Sequence, residues 1–464
     1  MKQALLPLLF LFLIPATVLA NNPPIDAQDD WIPLFNGENL DNWIQRNGKA
    51  TYHIDGDEIV GTTVMNTPNS FLCTREDYSD FILEYEFQVH PLLNSGVQIR
   101  SESREDYNNG RVHGYQVEID PAARAWTSGI YDESRRGWLY SLTRNEPARA
   151  AFIQGSWNKI RIEAVGHSIR TWINGVMSTN LVDDMTPSGF IALQVHSIRN
   201  EEQAGQEVRW RNIRIKTDNL EEARWTPDPN VPEFNYMSNT LTDTEKRKGW
   251  RLLWDGQSTT GWRGAKLDGF PENGWTMEDG VLSVLASDGA ESRNGGDIIT
   301  LDTFSEFELE LDFKITEGAN SGIKYFVLPK LNKGPGSSIG LEYQILDDKN
   351  HPDAKEGVGG NRTVASLYDL IPAGNLSLPG RNKRFNGVDR WNRARIVVKG
   401  NHIEHWLNNE KVLEYERGTQ IYRALVAKSK YNVWPEFGEA PAGHILIQDH
   451  GDKVSYRNIK IREF

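Results

Sequence analysis

The chain has 464 residues, more than the ~250–300 at which a single hydrophobic core stops growing, so it must divide into domains. Hydrophobic residues make up 38% and aromatics 10%, enough to fill cores and too much for a largely disordered chain. Lys and Arg number 51 against 64 Asp and Glu, and the net charge of −13 argues against a nucleic-acid backbone or an anionic membrane surface as partner.

Taken in chain order, residues 1–20 (MKQALLPLLFLFLIPATVLA) set Lys2 before an apolar run from Ala4 to Ile14 and end on Val18-Leu19-Ala20. This is the pattern of an export signal cut after Ala20. The run falls short of the ~20 residues a spanning helix needs. The spacing therefore predicts an exported protein, periplasmic or extracellular, with no stable membrane insertion after cleavage. Cys73 is the only cysteine, which rules out an internal disulfide. Next to Phe71 and Leu72 it reads as a packed thiol.

From Leu83 to Val89, and throughout Phe307–Ile315, apolar and polar residues alternate with period two, which predicts strands with one buried face. Ile160–Ala164, Ile169–Ile173, Val208–Ile215 and Ile396–Lys399 behave similarly. Strands broken by Gly, Asn and Pro, with few and short helices, indicate an all-β sandwich or jelly roll.

The strongest feature is an internal repeat. Leu34-Phe35-Asn36-Gly37 with Trp43 recurs as Leu253-Trp254-Asp255-Gly256 with Trp262. Asn94-Ser95-Gly96 recurs as Asn320-Ser321-Gly322, and Ile130-Tyr131-Asp132 as Leu367-Tyr368-Asp369. Trp157-Asn158 recurs as Trp391-Asn392, and Arg211-Asn212-Ile213 as Arg457-Asn458-Ile459. Two tandem β-sandwich domains follow, over residues 31–216 and 250–464. Residues 217–249, with Pro227, Pro229 and Pro232, read as a linker poorly suited to helix or strand.

Three strands per domain carry polar faces. Alternation through Tyr115–Asp120 sets Gln116, Glu118 and Asp120 on one face, and Glu342 shares a face with Gln344 in the second domain. Gln194 pairs with His196, and Gln448 with His450. A third strand offers Gln98 and Arg100, matched by Lys324 and Phe326, with Arg100 aligned to Lys324 or to Tyr325. A solvated outer face is the plain reading of any one strand. Taken together, the set suits the concave face of a curved sheet that binds a polyol. Tyr131, Trp126, Trp138, Tyr140 and Tyr368 stand in nearby loops to stack on sugar rings. Glu118 or Glu342 with His196 or His450 are the candidate base and acid. Arg135 and Arg136 near Asp132 are candidates to hold an oxyanion. Asp347, Asp348 and His351 offer a weakly specified divalent-metal site, with Asp347 and His351 as ligands, because oxygen and imidazole together suit several such ions. No other cofactor is indicated.

The chain has no P-loop, dinucleotide fingerprint or His-Glu-x-x-His. Its landmarks, together with Gly114-Tyr115-Gln116-Val117-Glu118-Ile119-Asp120, Arg209-Trp210-Arg211-Asn212-Ile213 and Gly340-Leu341-Glu342-Tyr343-Gln344-Ile345-Leu346-Asp347-Asp348, resemble the 3-keto-disaccharide hydrolase family across both domains. The resemblance implies a concanavalin-A-like jelly roll and a carbohydrate partner, a glycoside whose glucose C3 is oxidised to a ketone. Such a ketone acidifies the C2 hydrogen. Removing that hydrogen gives an enediolate that expels the C1 leaving group, and water then adds. The enzyme must supply a base and a positive group for the enolate oxygen. Domain one carries Gln-x-Glu where domain two carries Glu-x-Gln, so the sites serve different sugars or one only binds; the Asp347–His351 loop and His450-Gly451 favour domain two for chemistry. The alternatives are a lectin-like carbohydrate-binding protein, an ordinary glycosidase with two carboxylates roughly 5–10 Å apart across a cleft, and a surface adhesion module.

Overall fold

The computed structural model describes residues 30–287, 291–378 and 380–464; the export signal expected at residues 1–20 lies outside them. It is built from two all-β sandwiches of jelly-roll type in tandem. In the first, a nine-stranded sheet centred on Phe81–Val89, Asn158–Val165 and Glu207–Lys216 packs on a seven-stranded sheet. In the second, an eight-stranded sheet centred on Phe307–Ile315, Asn392–Lys399 and Val454–Glu463 packs on a five-stranded one. The four α-helices among the described residues, Glu146–Ala151, Leu220–Ala223, Asp243–Arg247 and Gln420–Lys428, lie outside the sheets.

The smaller sheets carry the polar residues. In the first sandwich β1 (Ser95–Glu102) lies between β2 (His113–Ile119) and β3 (Gly189–Val195); in the second, β4 (Asn320–Val327) lies between β5 (Leu341–Leu346) and β6 (His444–Ile447). All these pairings are antiparallel. Alternation explains the layers. Phe81, Leu83, Tyr85 and Phe87 of the larger sheet share a core with Val97, Ile99, Tyr115 and Val117 of the smaller one. Phe307, Leu309, Leu311 and Phe313 meet Ile323, Tyr325, Leu341 and Tyr343 in the same way.

On the opposite face of each larger sheet the intervening acids form ion-pair ladders. Glu84 meets Arg161 at 2.9 Å and Arg214 at 2.7 Å. Glu310 meets Lys460 at 2.8 Å, and Asp312 meets Arg393 at 2.8 Å. Cys73 is fully buried, and burial pushes its thiol up to about 12.

The segment 217–249 has more structure than its prolines suggest. Phe234–Asn235 adds a parallel strand to Val176–Val182. Asp243–Arg247 is a helical turn closed by a capping box between Thr242 and Glu245. Its prolines precede these elements, so they direct the approach and leave the ladder N–H groups intact. The segment then reaches the second sandwich, where the Asn458 N–H donates to Asn239 Oδ1 at 2.8 Å and Glu245 binds Lys460 at 2.5 Å.

Candidate active sites on the two smaller sheets

In the first domain the register places Gln116 between Gln98 on β1 and Tyr131 on the next strand, and Glu118 opposite Gly96. Their side chains point away from the sandwich core, yet Gln98, Gln116, Glu118 and Gln194 are all buried. Unpaired polar groups there would be costly, and apart from Gln194 Oε1, which has no hydrogen-bond partner among the described residues, they are paired in a chain. Gln98 and Gln194 each donate to Gln116 Oε1, at 2.6 and 2.8 Å. Gln116 Nε2 donates to Glu118 Oε2 at 2.8 Å, and Asn94 Nδ2 donates to Glu118 Oε1 at 2.7 Å. The nearest cation, Arg124, stands 3.6 Å from Glu118 Oε1. Arg124 also binds Asp120, and its guanidinium lies 5.0 Å from the rings of both Trp126 and Trp138.

Burial pushes the Glu118 pKa up to about 7, against the opposing pull of Asn94, Gln116 and Arg124. A carboxyl group held near neutrality exchanges protons readily at working pH. Gly96 has a steric reason: a Cβ there would meet Gln116 Cγ at 2.5 Å.

The second domain has the same frame with different chemistry. Glu342 occupies the place of Gln116, opposite Lys324, and Gln344 that of Glu118, opposite Gly322. Lys324 Nζ stands 3.7 Å from Glu342 Oε2, and the Tyr431 hydroxyl donates to the same oxygen at 3.2 Å. Lys324 Nζ also donates to Ser337 Oγ at 2.5 Å, and Ser337 donates to Asp297 at 2.5 Å. Gln448 Nε2 donates to Glu291 at 2.9 Å. Gln344 Nε2 reaches Asn320 Oδ1 at 3.4 Å, and His450 lies 3.4 Å from Asn320 Nδ2. The Gln344 and Gln448 amide oxygens are buried with no hydrogen-bond partner among the described residues.

Around this face Tyr368 donates to Asp353 at 2.8 Å, and Lys430 Nζ lies 4.2 Å from its ring. The surrounding protein holds the Lys430 ammonium below the ordinary lysine range, against the opposing charge of Glu342.

The structure therefore brings Gln116, Glu118, Asp120, Gln194 and Tyr131 together in one domain, and Glu342, Lys324, Gln344, Gln448 and Tyr368 in the other. It places several expected residues elsewhere. Arg100 does not continue the alternation. It adopts a left-handed φ of 44° at a bulge, and its buried guanidinium binds Asp80 at 2.9 Å and the carbonyls of Ser79 and Gly166. Its counterpart is Phe326 (φ 54°), neither Lys324 nor Tyr325. Arg135 and Arg136 hold Asp132, and Arg136 also holds Asp183, which in turn accepts from Tyr115. This network braces the loop and is not directed at Glu118.

His196 bonds the Ser197 carbonyl at 2.7 Å and makes no hydrogen bond to Glu118. Asp347 does not present a free carboxylate to a metal. It accepts from the N–H groups of Gly318, Lys349 and Asn350 and from the Asn350 amide, which together keep it below the usual carboxylate range despite its burial. His351 accepts from the Asp353 N–H through Nδ1, and its ring lies 6.3 Å from that of His450. Asp348 is taken by Lys383 and the Val364 N–H. Among the described residues, His402, Glu404 and Glu414 also cluster, but Lys411 bridges the two carboxylates at 2.7 and 2.8 Å.

Asn94, Arg124, Glu291, Lys430 and Tyr431 were not expected at the sites. The repeated Asn-Ser-Gly was a usable signal for Asn94 and Asn320, whereas the others arrive from loops that carry no shared pattern.

Tandem jelly rolls that each seat a buried carboxylate beside a cation, among amides on the outer face of the smaller sheet, define a two-domain enzyme built for polar ligands. The family model described as the 3-keto-alpha-glucoside-1,2-lyase-like domain matches residues 30–216 and again 249–462, and the chain belongs to that family as a hydrolase-like enzyme. A 3-keto-disaccharide hydrolase of Bacteroides thetaiotaomicron is 39% identical over 234 residues, 46% of this chain and 78% of that protein. Two crystal structures of candidate glycosyl hydrolases from Parabacteroides distasonis are also similar. One is 32% identical, with a TM-score of 0.42, covering 49% of this chain and 99% of that one. The other is 26% identical, with a TM-score of 0.34, covering 46% and 99%.

Proposed function

We propose that the chain cleaves 3-keto-glycosides by removing the C2 proton, eliminating the C1 substituent and adding water. One observation carries this reading: each domain sets a buried glutamate within ion-pair reach of a cation, Glu118 with Arg124 at 3.6 Å, a cation that Asp120 shares, and Glu342 with Lys324 at 3.7 Å. The carboxylate takes the C2 proton, and the cation faces the charge that develops on the enolate oxygen. The relative from B. thetaiotaomicron supports the substrate class. An ordinary glycosidase would need a second free carboxylate across the cleft. Beside Glu118, the other carboxylate is Asp120, which is engaged by Arg124 and the Ala122 N–H.

The exchange of Gln-x-Glu for Glu-x-Gln makes the two sites unlike, so they take different saccharides. The chain is exported and cut after Ala20; N-terminal sequencing of the exported product, expected to begin at Asn21, tests this.

The test of function is turnover of a 3-keto-glucoside against its unoxidised parent by wild type, Glu118→Gln and Glu342→Gln. Aglycone release from the keto form alone is expected. In the variant of the domain that turns over the probe, the rate falls by about 10²–10⁴-fold, the usual contribution of a general base. Equal release from both compounds, or none from either, overturns the reading.

A further inference from the structure

Between the two sandwiches lies a cleft of about 300 Å³, the lower end of the ~300–1,000 Å³ typical of small-molecule pockets. Six cations line it: Arg135 and Arg136 from the first domain, and Lys314, Arg390, Arg393 and Arg457 from the second. Against them stand two lining carboxylates, Asp312 and Asp389, while behind the lining Asp132 pairs with Arg135 and Arg136, Asp183 with Arg136, and Glu310 with Arg393. Asp312 is already engaged by Arg393 at 2.8 Å and by the Asn458 amide at 2.7 Å.

Aromatic rings do much of the holding. The Arg457 guanidinium lies 4.2 Å and the Lys314 ammonium 5.1 Å from the Trp391 ring centre, and the Arg393 guanidinium 4.4 Å from that of Tyr236. A ring fixes a cation without neutralising it, which describes Lys314, whereas Arg393 and Arg457 also pair with Asp312. Lys314 and Arg390 have no ion-pair partner among the described residues, and Arg390 donates to the Arg135 carbonyl at 2.7 Å. Two buried donors also lack a hydrogen-bond acceptor among the described residues, Arg135 Nη2 from one domain and Arg457 Nε from the other, the latter standing 3.5 Å from Asp312 Oδ2. An unsatisfied buried donor is costly, and an oxyanion would offset that cost.

We propose that this cleft binds a small oxyanionic ligand of monosaccharide size, with its carboxylate or phosphate group held between Arg135 and Arg457. The site is separate from the two carboxylate sites, since neither Glu118 nor Glu342 lines it, and it does not depend on the keto-glycoside reading.

Calorimetric titration of the full chain with d-glucuronate, glucose 6-phosphate, d-glucose and inorganic sulfate tests it. At least one of the first two should bind, and d-glucose should bind about tenfold or more weakly, the loss expected when a buried charge contact is removed. Binding by glucuronate alone assigns a sugar acid, and by glucose 6-phosphate alone a sugar phosphate. Arg457→Met should weaken binding by a similar factor, and so should the more exposed Arg390→Met, which keeps the test sound if the first variant folds poorly. Glu118→Gln and Glu342→Gln should bind as wild type does. Binding of sulfate only, an adventitious ion only, overturns the proposal. Equal binding of glucose, no binding by any probe, or insensitivity to both arginine variants also overturns it.

Discussion

Glu118 gives up hydration on folding and receives two amide N–H groups and a guanidinium 3.6 Å away. The exchange is unequal, so its pKa rises to about 7 from an ordinary value of 4.5. Between those two values the folded state holds a proton that the unfolded state has released, so stability falls as pH rises. The cost is absent below about pH 4.5 and complete above about 7, on the order of 3 kcal/mol. Glu118→Gln removes the charge and should flatten this decline. Melting temperatures of wild type and variant across pH 5–8 should therefore diverge with rising pH, the variant being the more stable at pH 8; parallel curves would refute the shift. Catalysis runs the other way, because a base acts only when deprotonated, so turnover at this site should rise through about pH 7. Alternation alone placed Gln116, Glu118 and Asp120 on one face. It failed at Arg100, because a non-glycine residue at positive φ is uncommon and carries no mark in the sequence. The bulge there turns the side chain to Asp80.

At the scale of strands, the period-two pattern was legible because each strand buries one face against the opposing sheet, and the repeat exposed the same frame twice. Loops follow no such rule. Arg124 reaches Glu118 from the turn after β2, and Tyr431 reaches Glu342 from the 3-10 turn after Gln420–Lys428, 89 residues away in sequence. The linker's small elements were hidden for the same reason: a two-residue strand has no period to read. The glycines opposite the site are legible once the register is known. A Cβ at Gly322 would stand 2.3 Å from Glu342 Oε1, and one at Gly96 2.5 Å from Gln116 Cγ. Gly96→Ala should displace Gln116 and loosen its hold on Glu118, at a cost of about 1–3 kcal/mol for overpacking. Gly322→Ala should push Glu342 away from Lys324. Each variant should lose turnover in its own domain while its far-ultraviolet spectrum stays that of a folded sheet protein. Wild-type turnover in both would show that the hollow is not needed to seat the side chains.

The two sandwiches are stitched along the charged face of the second domain's larger sheet. Lys460, on the last strand, is buried and binds Glu245 of the connecting segment at 2.5 Å and Glu310 of its own sheet at 2.8 Å. Asn235, in the strand added to the first sandwich, donates to the other oxygen of Glu245 at 2.8 Å. One carboxylate thus links both domains. Burial alone would raise the Glu310 pKa, but Lys460 and Arg393 overcome it and hold it at about 2. Its stabilising contribution is therefore present above pH 4.5 and lost as pH falls towards 2. Lys460→Met keeps the side-chain stem and leaves both glutamates without that counter-charge. Breaking a buried pair in this way costs about 3–5 kcal/mol, and Arg393, 3.4 Å from Glu310, should keep the loss near the lower figure. The loss falls on the join, so the two sandwiches should uncouple. Calorimetry of wild type should show one transition, and that of Lys460→Met two, with the second sandwich melting first. Adding Glu245→Gln removes the stranded charge and should recover part of the loss. If the single variant melts as wild type does, the connecting segment only tethers the domains, and the cleft between them would not be held in a fixed shape.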